Sequence, residues 1–248
     1  MRTKAFVPII FDEWDAPKNI LVILAHPDDP EFFIGGTIAH WTRAGHQVSY
    51  LLLTKGERGV SREFPDGEAL KALRVQEQAN AARTLGVTHV AYMDLQDGSL
   101  EVNLKNRRKL VAEIRKRQPD IVVIFDPQTL IYDDFNYLNH PDHRAAGQLA
   151  VDAVFPAAGS FAFYPEQLAE GLKVTRIEEL WLCLTNEANV VLDVSPYWET
   201  RLEALKQHVS QIGDPEEFVR KWNERRKEIT GTDDSYYEQF RRVILRCL

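Results

Sequence analysis

Residues 19–31 read NILVILAHPDDPE, and this stretch decides the fold. Its first part, Asn19–Ala25, is an apolar run of strand length. A strand-length run without polar alternation is typical of a strand that is covered on both faces of a parallel sheet. Open parallel sheets bind ligands at the carboxyl ends of their strands. His26, Asp28 and Asp29, which follow this strand, are therefore expected at the mouth of a ligand crevice.

On either side of this stretch, short apolar runs alternate with amphipathic segments. The sequence predicts strands at 19–25, 47–54, 88–94 and 120–125, and helices at 32–44, 68–85, 103–117 and about 141–155. Gly45 and Gly86 stand just past the first two helices, where glycine commonly ends a helix. This alternation predicts an α/β fold with a Rossmann-like, doubly wound, mostly parallel sheet flanked by helices.

The last third of the chain has a different pattern. It predicts two strands at 178–185 and 189–194, two helices at 199–212 and 216–229, and a helical stretch from about Ser235 to the end. No linker and no repeat divides the chain. The simplest account is one domain over 1–248, with a core at about 19–155 and a C-terminal strand-and-helix extension at about 156–248.

Composition excludes several classes of protein. The 30 Lys and Arg against 37 Asp and Glu give a net charge of −7, which argues against nucleic acid as the main partner. The seven basic residues of Lys105–Arg117 fit a solvated helix face. Cys183 and Cys247 are too few for a disulfide framework, and neither has a second Cys at zinc-ligand spacing. Without a signal-peptide pattern or a membrane-length apolar run, we expect a cytoplasmic protein that does not engage a membrane.

The first chemical cluster, His26-Pro27-Asp28-Asp29, follows the first strand. Two adjacent carboxylates raise the pKa of one of them unless a positive charge compensates, and a divalent metal would do so. The second cluster, His140-Pro141-Asp142-His143, enters the helix after the fourth strand. Pro141 suits the first helical position, which makes His140 the predicted cap. Asp142 is placed to hydrogen-bond His140 and raise its pKa.

Together the two clusters predict a catalytic metal site. His26, Asp29 and His143 supply two imidazoles and one carboxylate, the set that holds catalytic zinc with positions open for water. The same set suits Fe²⁺ or another divalent first-row metal. Asp28 is then free to act as the general base, and His140 could stabilise an oxyanion or protonate a leaving amine.

Other catalytic motifs are absent from the sequence. There is no phosphate-binding G-x-x-x-x-G-K-[ST], no G-x-G-x-x-G after the first strand and no G-x-S-x-G elbow. Gly35 and Gly36 are interpreted as permitting close helix–sheet packing.

The strand followed by AHPDDPE (Ala25–Glu31), then GGTIA (Gly35–Ala39) and HPDHRA (His140–Ala145), resembles the LmbE-like, or PIG-L-type, zinc-dependent N-deacetylase family. The resemblance extends over about Ile20–Ala146, and Leu202–Ile212 is similar to the family's C-terminal helix. That family removes acetyl groups from N-acetylglucosamine units. The resemblance therefore implies a Zn²⁺-dependent hydrolase with a small-molecule amino-sugar substrate, and a homo-oligomer, either a trimer or a hexamer.

The resemblance also implies roles for individual residues. These are zinc ligands His26, Asp29 and His143, general base Asp28, transition-state histidine His140, its orienting carboxylate Asp142, and substrate-binding residues Arg74 and Asp97. The alternatives are a surface pair with Glu77 for Arg74 and a turn position before Gly98 for Asp97.

The sequence departs from the family at the edge of the site. Leu138 stands where several relatives have Tyr, with Tyr137 one residue away, and Pro156–Phe163 lacks a basic residue that some members have there. For His208, which recurs in relatives, core packing, an oligomer contact and a role near the site stay open. Two other functions also stay open. One is an amidase that acts on a larger N-acyl or thiol–sugar conjugate, and the other is a non-catalytic metal- and sugar-binding module. The presence of Asp28 and His140 argues against the module.

Overall fold

The computed structural model describes Phe11, Trp14 and residues 15–133, 137–231 and 235–245, and its centre is a seven-stranded sheet. The sheet strands are β1 (Asn19–Leu24), β2 (Gln47–Leu52), β3 (His89–Tyr92), β4 (Ile121–Phe125), β7 (Glu179–Cys183), β8 (Val190–Asp193) and β9 (Tyr237–Ile244). Their order is β3-β2-β1-β4-β7-β9-β8. The first five run parallel, and β9 is antiparallel to both β7 and β8. The predicted α/β fold with a mostly parallel sheet is confirmed.

Helices and a small ribbon complete the fold. The helices are α1 (Asp29–Arg43), α2 (Gly67–Thr84), α3 (Leu104–Arg117), α4 (Pro141–Asp152), α5 (Pro165–Ala169), α6 (Trp198–Leu205), α7 (Val209–Ile212) and α8 (Pro215–Thr230). A π-helical turn, Ala153–Ala158, continues α4. The two-stranded ribbon consists of β5 (Ile131–Tyr132) and β6 (Tyr137–Leu138).

The order of the strands determines where the sheet has a crevice for a ligand. Successive strands run from β1 to β2 and β3 on one side, whereas β4 pairs with the other side of β1. Right-handed crossovers then put α1 and α2 on one face of the sheet and α3 on the other. The reversal leaves a crevice beyond the carboxyl ends of β1 and β4, where parallel sheets bind ligands. Ile23 pairs with Ile124, so the residues after Leu24 and Phe125 begin at the same level.

The C-terminal extension corrects two predictions. The predicted helix from Ser235 is wrong, because Tyr237–Ile244 is strand β9 and it separates β7 from β8. Its inward positions include Glu238 as well as Phe240, and a buried carboxylate obscures the alternation that identifies a strand. The predicted helix 199–212 is two helices, α6 and α7, because His208 between them has non-helical dihedrals (φ −90°, ψ 49°).

A kink in α1 binds this extension to the core. Ile34 leaves the helical region (φ −144°, ψ 21°), which frees backbone groups on either side of it. Arg201 donates to the carbonyls of Glu31 (3.1 Å) and Phe32 (2.6 Å). Glu238 accepts from the amides of Gly36 (3.0 Å) and Thr37 (2.8 Å) and lies 3.8 Å from Arg201. Two buried side chains of the extension therefore cap the two halves of α1.

The paired glycines of α1 serve close packing, but only Gly36 approaches a strand residue, Glu238 of β9, as the predicted helix–sheet packing requires, whereas Gly35 packs on helix α6. A Cβ on Gly35 would meet Arg201 Cγ at 2.9 Å, and a Cβ on Gly36 would meet Val194 Cγ2 at 2.7 Å. Either contact is too short for an ordinary Cβ. Glycine is therefore required where the extension approaches the helix.

Other sequence expectations have mixed outcomes. Most basic side chains of α3 are exposed or half-buried, as a solvated face requires, but Arg115 is buried and donates to the carbonyls of Ala157 (3.0 Å) and Phe163 (2.9 Å). Cys183 is a buried free thiol. Cys247 and residues 1–10, 12 and 13 of the N-terminal stretch lie outside the described residues. In the part of the chain that is described, no helix has the length and apolarity needed to cross a bilayer.

Arg201→Met should lower the free energy of unfolding by about 3–5 kcal/mol, because it removes the positive charge beside buried Glu238 and leaves two buried carbonyls without their donor. The matched control is Arg220→Met in α8, which removes an exposed pair with Glu224 and should change it by no more than about 0.5 kcal/mol. Urea unfolding of both variants measures the difference. A loss below about 1 kcal/mol for Arg201→Met would contradict the capping role.

Candidate active site

Asp29, the first residue of α1, joins the two sequence clusters. Its Oδ2 accepts from the backbone amides of Ala25 (3.1 Å) and His26 (2.7 Å) and lies 3.4 Å from His26 Nδ1. Its Oδ1 lies 3.2 Å from Nε2 of His143. Burial alone would raise the pKa of this carboxyl, but the imidazoles of His143 and His26 hold its pKa well below the usual range. Asp29 is therefore an anion between two imidazole nitrogens.

The far side of the His26 ring is held by two carboxylates. Nε2 of His26 lies 3.1 Å from Asp97 Oδ1 and 3.3 Å from Asp142 Oδ2. Burial lowers the pKa of His26, but the carboxylates of Asp29, Asp142 and Asp97 together raise it well above its ordinary value. In the neutral ring, a proton on Nε2 bonded to a carboxylate leaves Nδ1 with its lone pair toward Asp29. Carboxylates behind a ligating histidine fix its tautomer in this way.

His143 is oriented by Asn139, which lies just before α4, and by Phe125 at the end of β4. Its Nδ1 lies 3.1 Å from Asn139 Oδ1, and an amide oxygen can only accept. In the neutral ring the proton then lies on Nδ1, which leaves the Nε2 lone pair available to a metal ion on the side of Asp29. The ring stacks on Phe125 with centroids 4.1 Å apart and an interplanar angle of 16°. His143 is thus prepared as a ligand at one nitrogen only.

These donors fit a divalent metal. His26, Asp29 and His143 present two imidazole nitrogens and a carboxylate that point toward one another, and each imidazole has an acceptor on its other nitrogen. The ring nitrogens of His26, His140 and His143 are also close enough to one another to share an ion, which gives an alternative donor set without Asp29. The cluster of His26 with Asp97 and Asp142 is similarly close, and it lies on the other side of the His26 ring, at Nε2.

Asp28 is held in an unusual conformation beside the donors. Its φ of 90° lies in the left-handed region, which costs a non-glycine residue about 1–3 kcal/mol. Its Oδ2 is 2.9 Å from Arg74, and its amide donates to Gln78 Oε1 at 2.7 Å. Burial raises the pKa of Asp28, although Arg74 opposes the shift. A carboxylate with a raised pKa is suited to accept a proton as a general base.

His140 caps α4, as predicted from Pro141. Its Nδ1 accepts from the amide of Asp142 at 3.2 Å, so in the neutral ring the proton is on Nε2. The ring centroid lies 5.0 Å from that of His26 and 5.4 Å from that of His143. His140 is therefore a hydrogen-bond donor beside the two ligand imidazoles.

The structure differs from the sequence prediction on Asp142. We expected its carboxylate to bond His140 and raise the pKa of that imidazole, but it accepts from the amides of Gly98 (2.7 Å) and Leu100 (3.2 Å) and contacts His26. Burial, together with His26 and His143, lowers the pKa of His140. The prediction about Asp142 differs because His140 caps α4. In this arrangement the backbone amide of Asp142, and not its carboxylate, faces His140.

Comparison with known proteins decides the family. The model of the PIG-L family, described as GlcNAc-PI de-N-acetylase, matches residues 21–154. The chain belongs to the PIG-L family. A diacetylchitobiose deacetylase from Thermococcus kodakarensis is 36% identical over 83% of this chain and 73% of the relative. A probable N-acetyl-alpha-D-glucosaminyl L-malate deacetylase 2 from Bacillus anthracis is 27% identical over 79% of this chain and 82% of the relative.

A solved structure agrees with these relatives. The N,N'-diacetylchitobiose deacetylase from Pyrococcus horikoshii matches with a TM-score of 0.79 and 32% identity, over 92% of this chain and 84% of that one. The predicted membership of the LmbE-like, PIG-L-type family is confirmed, and with it the predicted class of enzyme, a hydrolase of carbon–nitrogen bonds other than peptide bonds.

Arg74 and Asp97, the predicted substrate-binding residues of this PIG-L protein, lie behind the site. Arg74 is 4% exposed and donates to the carbonyls of Gly56 (2.9 Å) and Pro27 (2.6 Å) as well as to Asp28. It is not a surface partner of Glu77. Asp97 is also buried and bonds the amide of Arg58 besides His26. Their role in binding substrate stays a prediction, and their contacts are those of supporting residues.

The sequence analysis gave no role to three residues that support the site, Asn139, Gln78 and Glu31. It left the role of His208 open, and in the structure His208 contacts Glu31. Glu31 stands within the quoted motif, which was the available signal. Of the residues at the edge, Leu138 is exposed, and the pKa of Tyr137 is raised by burial and by the charge of Asp29. Tyr137 is therefore within electrostatic range of the site despite its offset by one residue.

Metal content should identify the donor set. Asp29→Ala should abolish stoichiometric zinc binding, whereas Asp28→Asn and His140→Gln should retain about one zinc per chain, because neither removes one of the three prepared donors. Elemental analysis after dialysis against zinc and buffer measures this. Retention of zinc by Asp29→Ala together with its loss from His140→Gln would assign the site to the three histidines instead.

Proposed function

We propose that this protein is a zinc-dependent deacetylase that hydrolyses the acetamide of an N-acetylglucosamine-type substrate. The observation that carries the proposal is the pair of neighbouring carboxylates with different partners. Asp29 faces two ligand imidazoles, and Asp28 faces Arg74. The relatives are named as deacetylases of diacetylchitobiose and of N-acetyl-alpha-D-glucosaminyl L-malate, and these names support an amino-sugar substrate.

His26, Asp29 and His143 would hold the metal, which supplies Lewis acidity to the amide carbonyl and lowers the pKa of water toward roughly 7. Asp28 accepts a proton from the attacking water. Its raised pKa makes this transfer favourable, and the contact with Arg74 keeps the acceptor oxygen in place. Asp28 can then return the proton to the leaving nitrogen.

His140 serves the oxygen of the substrate. With Nδ1 occupied by the amide of Asp142, its Nε2–H donates to the carbonyl oxygen as negative charge develops there. The cap thus provides a neutral donor, so an imidazolium is not required. The water oxygen joins the acyl carbon and the carbon–nitrogen bond breaks, which gives acetate and a free amino sugar.

Acetate release tests the proposal directly. The zinc-loaded protein should release acetate from N-acetylglucosamine or diacetylchitobiose, and chelation followed by zinc should remove and then restore the activity. Hydrolysis of larger N-acyl conjugates without hydrolysis of either sugar would favour the alternative amidase. No turnover of any N-acyl compound at full metal content would exclude an enzyme of this type. The proposed homo-oligomer can be tested by sedimentation of the same preparation.

Asp28→Asn should reduce kcat about 10²–10⁴-fold at wild-type metal content, because it removes the proton acceptor while keeping the shape of the side chain. Acetate release and elemental analysis on one preparation check both parts. The control is Asp193→Asn, a change of the same type at an exposed position of β8, which should leave kcat unaltered. A rate within a few fold of the wild type for Asp28→Asn would reject Asp28 as the base.

Arg74→Leu should lower kcat more than it raises KM, because Arg74 holds the carboxylate and the preceding carbonyl of the base. Steady-state kinetics on the substrate that the wild type cleaves gives both constants. A higher KM at unchanged kcat would instead support the substrate-binding role that the family resemblance implies.

A further inference from the structure

A buried chain of hydrogen bonds connects Asp28 to the C-terminal extension. The amide of Asp28 donates to Gln78 Oε1, and Gln78 Nε2 donates to both oxygens of Glu31 at 3.0 and 3.1 Å. Glu31 Oε2 lies 3.2 Å from Nε2 of His208, in the turn between α6 and α7. We propose that Gln78, Glu31 and His208 are positioning residues for Asp28. The proposal rests on the proposed function in that Asp28 is the base.

The chemistry of each group fixes the direction of the chain. A backbone N–H only donates, so the amide of Asp28 requires the oxygen of Gln78, and the NH₂ group of Gln78 then faces the two oxygens of Glu31. The Gln78 oxygen is then the atom that faces Asp28, where it accepts the backbone amide. If the amide group were reversed, an NH₂ group would face an N–H and carboxylate oxygens would face an oxygen. The Asp28 amide and the Glu31 carboxyl group therefore fix the orientation of the Gln78 side chain from its two ends.

Glu31 in turn needs His208. Its side chain is fully buried, and a buried carboxylate is stable only with donors around it. The recorded donors are the Gln78 amide, the Tyr50 hydroxyl at 3.4 Å and the His208 imidazole, and only the imidazole can carry a positive charge. His208 is likewise completely buried. A residue of the extension thereby holds the carboxyl group that faces Gln78.

Gln78 and Arg74 support Asp28 in a left-handed backbone conformation, which is unfavourable for a residue other than glycine. Asp28 has a φ of 90°, and Gln78 holds its backbone while Arg74 holds its side chain. Loss of the backbone contact would let Asp28 move while the metal donors keep their own partners. A positioning role therefore predicts a lower kcat at unchanged metal content and nearly unchanged KM.

The variants His208→Leu and His208→Gln test this role. His208→Leu removes the donor to Glu31, whereas His208→Gln keeps an N–H at similar reach. We expect His208→Leu to lower kcat by about 10–100-fold, the usual effect of losing a residue that orients a site, with KM within about threefold and one metal per chain. His208→Gln should recover most of the activity. Equal losses in both variants would overturn the proposal.

A matched control separates positioning from loss of stability. Ser210 lies in the same segment and is buried, but its hydroxyl donates to Glu77, outside the chain that reaches Asp28. Ser210→Ala should destabilise the protein to a similar extent and leave kcat within about threefold. If kcat falls as far in Ser210→Ala as in His208→Leu, the effect is structural and the proposal is wrong.

A crystal structure of Gln78→Met provides a readout that does not depend on activity or on the folding of the His208 variants. This substitution keeps the length of the side chain and removes both hydrogen bonds. We expect Asp28 to leave its left-handed conformation or its contact with Arg74. If both persist within a few tenths of an ångström, the positioning role is excluded even if the wild type is a deacetylase. If both are lost but the wild type releases no acetate, the proposed function fails and the structural link stands.

Discussion

The buried negative charge of Asp29 is the interaction on which the site depends. It accepts the two backbone amides at the end of β1, and its oxygens face one imidazole from each sequence cluster. A charge in such a place is costly unless it is paired, and His26 and His143 are the groups that pair with it. The two clusters, more than a hundred residues apart in sequence, are thereby brought to one point. The Rossmann-like strand order makes this possible because β1 and β4 end side by side.

The sequence predicted the parallel part of the fold well because its signals are local. Fully apolar strands, glycines after helices and Pro141 at a helix start are each decided within a few residues. The pairing of His26, Asp29 and His143 followed from the position of each cluster at a strand end. The orientation of Asp142 could not be predicted in this way. It depends on the amides of Gly98 and Leu100, which come from a loop that is distant in sequence.

The C-terminal extension was predicted less well, and for a related physical reason. Glu238, Arg201 and His208 are polar side chains in buried positions, where hydrophobic periodicity predicts apolar ones. Their partners are backbone groups freed by the kink at Ile34 and the carboxylate of Glu31. Such positions can be interpreted only when both partners are known. Buried polar side chains such as Glu238 prevented the prediction of β9 from the sequence. Glu238 and Arg201 are also the residues that attach the extension to α1.

The opposite environments of Asp28 and Asp29 give an independent argument for their different roles. Both carboxyls are buried and adjacent, and burial alone would raise the pKa of each. Two imidazoles reverse the effect for Asp29, so that it stays ionised and can ligate a cation. For Asp28 the single guanidinium of Arg74 does not reverse the effect of burial, so the pKa of this carboxyl group stays above its ordinary value. When neighbouring titratable groups are driven in opposite directions, the environment separates acid–base chemistry from charge stabilisation. The assignment of Asp28 as base and Asp29 as ligand thus has a basis in the contacts of this chain, apart from its family.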